Sequence, residues 1–87
     1  MPKIKNIKLY STTMCPYCKM EKAWLEGNKI DHEVSYVDQN QKEAIEMVRA
    51  TGQMGVPVTK IEFENSDTKY VIGFDVPQLS NILGLKS

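Results

Sequence analysis

Apart from Cys15 and Cys18 the chain of 87 residues has no cysteine, and it has one histidine, His32. Zinc takes four ligands, so a zinc site built within the chain lacks the donors, and no metal is expected. Covalent haem attachment needs a histidine directly after the second cysteine, where Lys19 stands. Net charge is also missing: eleven basic side chains meet eleven acidic ones. That balance argues against nucleic acid or an anionic membrane as the partner. No apolar run approaches the length of a membrane span. The amino terminus, Met-Pro-Lys-Ile-Lys-Asn-Ile-Lys, interleaves lysine with isoleucine and lacks the apolar core of a signal peptide. A reducing cytoplasm is the expected compartment, where a dithiol pair is more often catalytic than structural. Linker-like composition, internal repeats and low-complexity tracts are absent as well, so residues 1–87 are expected to form one domain with a modest core.

What is present is Cys15-Pro16-Tyr17-Cys18, placed directly after a strand-like run from Ile4 to Tyr10 with Ile7 and Leu9 as apolar members. Two thiols separated by two residues at the opening of a strand–helix unit form a redox pair. A purely structural disulfide there closes so short a loop that it constrains the unfolded chain little. From Pro16 to Glu26 most residues are good helix formers. Proline suits the first helical position because its missing N–H has no intrahelical partner there and its φ is already near helical. Cys15 therefore falls at the helix cap, where unpaired N–H groups and the helix dipole favour a thiolate and a lowered pKa. Cys18 follows within the first turn, and Lys19 and Lys22 add a smaller, solvent-screened positive potential.

A lowered pKa changes attack less than it changes departure. A fall from about 8.5 to about 5.5 raises the thiolate fraction at pH 7 roughly thirtyfold. Intrinsic nucleophilicity drops roughly twentyfold over the same interval. The larger gain is a better leaving group and a stabilised reduced form, which makes the pair more oxidising. The expected chemistry is attack by Cys15 on a disulfide, with Cys18 or an outside thiol releasing the product.

The remaining pattern supplies a frame for that pair. A second strand is expected over His32–Val37, ending at Asp38. Asn40 caps a helix with Glu43 as its capping-box partner and Ala44, Ile45, Val48 and Thr51 as its buried stripe, and Gly52 ends it. Two strands, Val56–Glu64 and Lys69–Ile72, flank a polar turn at Asn65, Ser66 and Asp67. Asp75 with Gln78 caps a last helix whose apolar side is Leu79, Ile82 and Leu83. This βαβαββα order predicts an α/β fold: a four-stranded mixed sheet with three helices on its faces, the first two strands parallel through a right-handed crossover.

Tyr10-Ser11 leading into Cys15-Pro16-Tyr17-Cys18, then Thr51-Gly52-Gln53, Gly55-Val56-Pro57-Val58 and Ile72-Gly73-Phe74-Asp75, resembles a glutaredoxin over nearly the whole chain. The resemblance implies the thioredoxin-like fold and a thiol–disulfide oxidoreductase with glutathione as co-substrate and disulfide-containing proteins as partners. It makes Pro57 a cis-proline beside the active-site cysteine. The backbone of Val56 then pairs with an extended substrate. Gly73, Phe74 and Asp75 offer backbone N–H groups and a carboxylate for the γ-glutamyl end of glutathione. Tyr17 shapes the substrate groove, Gln53 donates a hydrogen bond, and Lys19 assists the thiolate. A monomer is expected.

The sequence departs from the family pattern at Thr12 and Met54, where many glutaredoxins carry basic residues that hold glutathione's glycine carboxylate. Each lost charge-assisted bond weakens that contact by roughly 1–2 kcal/mol. The single glycine and aromatic of Gly73-Phe74-Asp75 also resemble redoxins recharged by thioredoxin reductase, a flavoprotein, that serve ribonucleotide reductase. A third alternative is a module in which two protomers hold an iron–sulfur cluster through Cys15 and external glutathione. Among other conspicuous residues, His32 reads as a solvated surface histidine, and Trp24, four residues after Met20, as core packing.

Overall fold

The structure, a computed structural model, describes residues 3–85. Met1, Pro2, Lys86 and Ser87, which belong to the amino-terminal stretch and to the expected 1–87 domain, lie outside the described residues. Seven elements follow in order: β1 (Ile4–Ser11), α1 (Pro16–Gly27), β2 (Glu33–Tyr36), α2 (Gln41–Thr51), β3 (Val58–Phe63), β4 (Thr68–Ile72) and α3 (Val76–Leu83). They build one four-stranded sheet in the order β2-β1-β3-β4. β1 runs parallel to β2 and antiparallel to β3, and β3 runs antiparallel to β4. This is the mixed sheet with three helices that the element order predicts.

Alternation along the strands sorts side chains onto two faces. One face carries Ile7, Ile61, Phe63 and Val71, packed with Leu79 of α3 and with Trp24, Phe74 and Ile82 at the margin. The other carries Tyr10 and Val58 against Met47 of α2, with Val37, Val56 and Tyr70 around them. α2 buries Met47 and leaves Ile45 exposed, a correction to the expected stripe. The sheet-facing side of the helix carries Glu43 and Glu46, which reach Lys8 and Lys60, and Met47, one turn after Glu43. Met20 is likewise exposed rather than packed with Trp24. The inward row of α1 is Cys18, Glu21 and Leu25, and Met20 lies about half a turn from that row.

Helix ends follow the sequence signals. Asn40 accepts the Glu43 N–H at 3.2 Å, and Asp75 accepts the Gln78 N–H at 3.1 Å. The Glu43 carboxylate turns to Lys8 Nζ, 3.2 Å away. Gly52 closes α2 at φ +74°, a left-handed conformation that suits glycine. Strand limits differ from expectation by one or two residues. β3 begins at Val58 rather than Val56, because Pro57 has no N–H to give to the ladder. β2 is shorter than His32–Val37, and His32, just before it, has Nδ1 2.9 Å from the Ile30 carbonyl oxygen. His32 is half-buried rather than fully solvated.

Candidate functional site: a dithiol at the head of α1

The antiparallel register sets Tyr10 opposite Val58 and Val58 opposite Ile72. The carboxyl end of β1, the start of β3 and the carboxyl end of β4 therefore share one end of the sheet. Three segments emerge there: Thr12–Cys15, Val56–Pro57 and Gly73–Asp75. The topology thus gathers the sequence motifs that lie far apart along the chain. The Val56–Pro57 peptide is cis. Gly73 N–H donates to the Pro57 carbonyl at 2.8 Å and joins two of these segments directly.

Cys15 is the N-cap of α1, with extended backbone at φ −98° and ψ 110°, and Pro16 opens the helix. Its Sγ accepts the Cys18 N–H at 3.2 Å, and its carbonyl accepts the Lys19 N–H at 3.2 Å. A first-turn N–H thus points at the sulfur, and no acidic residue lies in that first turn. Both cysteines are free thiols, Cys15 half-buried and Cys18 only 1% exposed. Burial pushes the Cys18 thiol up to about 11, reinforced by its hydrogen bond with Cys15, while bonds from Ser11 and the Thr12 backbone pull the other way. The two sulfurs thus differ in kind: Cys15 accepts a hydrogen bond at the cap, and Cys18 is sheltered and held as a thiol. That division suits an attacking sulfur and a resolving one.

Exposed apolar side chains and a small polar cleft flank the pair. Tyr17 is 64% exposed between the cysteines and Met54 is 79% exposed three residues before Pro57, with Met14 exposed as well. Lys19 is exposed on the first turn and lines, with Cys18, Ser11, Lys22 and Tyr36, a cleft of about 130 Å³. Gln53 is half-buried after the end of α2, and its carbonyl accepts a bond from Thr51 Oγ1 at 3.2 Å. Phe74 packs edge-on against Trp24, the ring centroids 6.3 Å apart at 68°. Its ring belongs to the core margin, leaving the backbone of Gly73–Asp75 facing this end of the sheet. Asp75 uses Oδ1 as the cap of α3. Among the described residues no group of three or more His, Cys, Asp or Glu side chains converges to hold a metal ion.

Two polar anchors were not singled out in the sequence. Asp38 Oδ2 accepts from the Thr13 hydroxyl at 2.6 Å and from its N–H at 3.1 Å, tying the loop before Cys15 to the end of β2. Those bonds from Thr13 hold the Asp38 carboxyl below its usual range. Glu21, one turn after Cys18, is 0% exposed and bonded by the Thr59 hydroxyl on β3. The spacing of Cys18, Glu21 and Leu25 on one helical row was the available signal.

The family model for glutaredoxins matches residues 7–63. A glutaredoxin-like 8.6 kDa protein of a rubredoxin operon in Clostridium pasteurianum is 35% identical over 88% of this chain and 96% of its own length. The solved glutaredoxin of Methanosarcina mazei Go1 is 28% identical, with TM-score 0.76 over 92% of this chain and 79% of its own. Methanoredoxin of Methanosarcina acetivorans is 26% identical, with TM-score 0.75 over 92% and 85%. The fold and the paired cysteines define a thioredoxin-superfamily protein. The chain belongs to the glutaredoxin family.

Proposed function

We propose that the protein is a thiol–disulfide oxidoreductase acting through Cys15 and Cys18 on protein disulfides or glutathione mixed disulfides. The observation that carries this reading is the pairing of a capped, hydrogen-bonded Cys15 sulfur with a buried Cys18 thiol one turn inside the same helix. Cys15 thiolate attacks one sulfur of the substrate disulfide, and the other substrate sulfur leaves with the electron pair of the broken bond. Cys18 then gives up its proton and attacks Cys15 Sγ, which releases the second substrate thiolate. The substrate gains two electrons, and the cysteine pair becomes a disulfide. Val56, beside Pro57, supplies backbone to an extended substrate, and Tyr17 walls the groove. Gln53 and the Gly73–Phe74–Asp75 turn contact the polar ends of glutathione, and Lys19 adds positive potential near Cys15. The protein works as a monomer in a reducing, cytoplasmic setting.

A second reading concerns the electron donor. Thr12 and the exposed Met54 occupy places where the family pattern has cations, so the apolar rim favours a flavoprotein reductase over glutathione. The relative's name, which places it in a rubredoxin operon, fits a donor other than glutathione. The deciding experiment compares reduction of the oxidised protein by glutathione with glutathione reductase against thioredoxin reductase with NADPH. Turnover with glutathione supports the first donor, turnover only with the flavoprotein supports the second, and reduction by neither overturns the oxidoreductase reading.

A further inference from the structure

Beside the dithiol, where α1 faces the ends of β1 and β2, lies the cleft of about 130 Å³ that Cys18 helps to line. Residues four and three apart on a helix share a row, so Lys19 and Lys22 continue the row that starts at the Cys15 cap. Both lysines line the cleft. Ser11, Thr12, Thr13 and Tyr36 bring hydroxyl-bearing side chains to it from β1, the following loop and β2. No carboxylate belongs to this lining. Asp38 accepts the Thr13 hydroxyl and N–H but stands outside it. The ion pairs among the described residues are those of Lys8 and Lys60, which leaves Lys19 and Lys22 with no acidic partner there. Lys22 is also half-buried, so solvent screens it less than a fully exposed cation. A cleft that carries charge of one sign concentrates ions of the other, here anions.

The cleft also leads to sulfur. Cys18 lines it, and the Cys18 N–H is 3.2 Å from Cys15 Sγ. A molecule with an anionic group between the lysines and a thiol a few atoms away spans the distance from cleft to dithiol. The volume takes a carboxylate on a short stem and is too small for a tripeptide. Elsewhere around the pair Met14, Tyr17 and Met54 are exposed and uncharged, so positive charge at this end of the molecule is concentrated in the cleft.

We propose that the Lys19–Lys22 cleft binds a small thiol bearing an anionic group, a short mercapto acid in its simplest form, and that thiols of this class reduce the oxidised dithiol, a proposal that rests on the oxidoreductase reading of the pair and names its electron donor. With its carboxylate held by the lysines, the donor thiolate attacks Cys15 Sγ of the Cys15–Cys18 disulfide. Cys18 Sγ leaves with the electron pair of the broken bond and takes a proton from solvent. A second donor thiolate attacks the sulfur of the first, and Cys15 Sγ leaves with the pair from that bond. Two thiols become one disulfide, and the protein gains two electrons. The attacking donor is negative at both ends, which two cations favour and which a neutral or cationic thiol of the same length does not share.

The test reduces the oxidised protein with mercaptopropionate, mercaptoethanol and mercaptoethylamine, with each rate constant expressed per thiolate and the new protein thiols counted by alkylation and mass. Mercaptopropionate is expected to react roughly five- to tenfold faster than mercaptoethanol, with mercaptoethylamine slowest, and the spread should narrow in concentrated salt. In the double variant Lys19→Gln/Lys22→Gln the ratio of the acid to the alcohol should fall to near one. Lys42→Gln, at the start of α2 on the opposite face of the sheet, removes a positive charge away from the cleft and should keep the wild-type ratio. Equal wild-type rates for acid and alcohol overturn the proposal and leave the oxidoreductase reading standing, as does a ratio unmoved in the double variant or lowered as much by Lys42→Gln. A disulfide form that none of the three thiols reduces overturns both.

Discussion

On the α2 face of the sheet the buried and half-buried polar groups interlock, whereas on the α1 and α3 face a single carboxyl lies among apolar side chains. Lys8 and Lys60 stand opposite each other across β1 and β3, a repulsive placement that α2 relieves with one glutamate apiece. Lys8 Nζ is 3.2 Å from Glu43, Lys60 Nζ is 3.2 Å from Glu46, and the buried Tyr10 hydroxyl donates to Glu46 at 3.0 Å. Lys60 and Tyr10 together hold the Glu46 carboxyl below its usual range. Burial and the bond to Glu46 raise the Tyr10 phenol far above its ordinary value. Each of these groups has a partner that suits its usual charge. Glu21, on the other face, has one donor and one empty oxygen. The difference separates polar burial that serves the fold from polar burial that the fold does not explain.

The largest effect expected is on the apolar face. Leu79 is fully buried between α3 and the sheet, and Leu79→Ala should lower stability by about 3 kcal/mol, read as a shift of the urea midpoint with unchanged slope. An appreciably smaller loss would show that α3 collapses onto the vacated space.

Next comes the pH dependence of Glu21. Its folded pKa, about 7, lies above that of an unfolded glutamate. Between the two values the folded chain holds a proton that the unfolded chain has released, so this group's contribution to stability falls as pH rises from about 4.5 to about 7. The loss approaches about 3 kcal/mol above that window. Glu21→Gln should therefore gain stability relative to wild type when urea melts at pH 5 and pH 8 are compared. A constant difference between the two proteins at both pH values would mean that the carboxyl is not protonated in the folded state.

On the paired face the changes are smaller. Tyr10→Phe removes one hydrogen bond while Glu46 keeps Lys60, and a loss of about 1 kcal/mol in the same melts is expected. Glu43→Gln breaks the Lys8 pair, which is only partly shielded from water, for about 0.5 kcal/mol or less. That small loss should shrink further in concentrated salt, which screens the pair. An effect on this scale from Tyr10→Phe as well would remove the contrast between the faces.

Much of the frame was legible along the chain because its signals are local. The Asn40 and Asp75 caps, Gly52 at φ +74° and the Asn65–Asp67 turn each depend on a few adjacent residues, and each formed. Pro16 behind a capping Cys15 is of the same kind. Ile45 and Met47 show the limit of such reading. Periodicity predicts an apolar stripe on α2, but the side that meets the sheet also carries Glu43 and Glu46, which pair with lysines on strands distant in sequence. Glu21 was hidden for a related reason. A glutamate in a helix reads as a solvated helix former until its row is known to face the sheet, and only the approach of Thr59 from β3 shows what encloses it.

The sequence by itself determined the order of elements, the helix caps and the placing of two thiols one turn apart at a helix start, because each follows from backbone geometry within a few residues. Tertiary structure alone decided which sulfur is sheltered, which loops share the end of the sheet with it, and that a carboxyl one turn further along α1 lies buried. Those outcomes depend on desolvation and on contacts between residues far apart in the chain, 38 positions for Glu21 and Thr59 and more for Tyr10 and Val58. Packing of the whole sheet against its helices is what creates them.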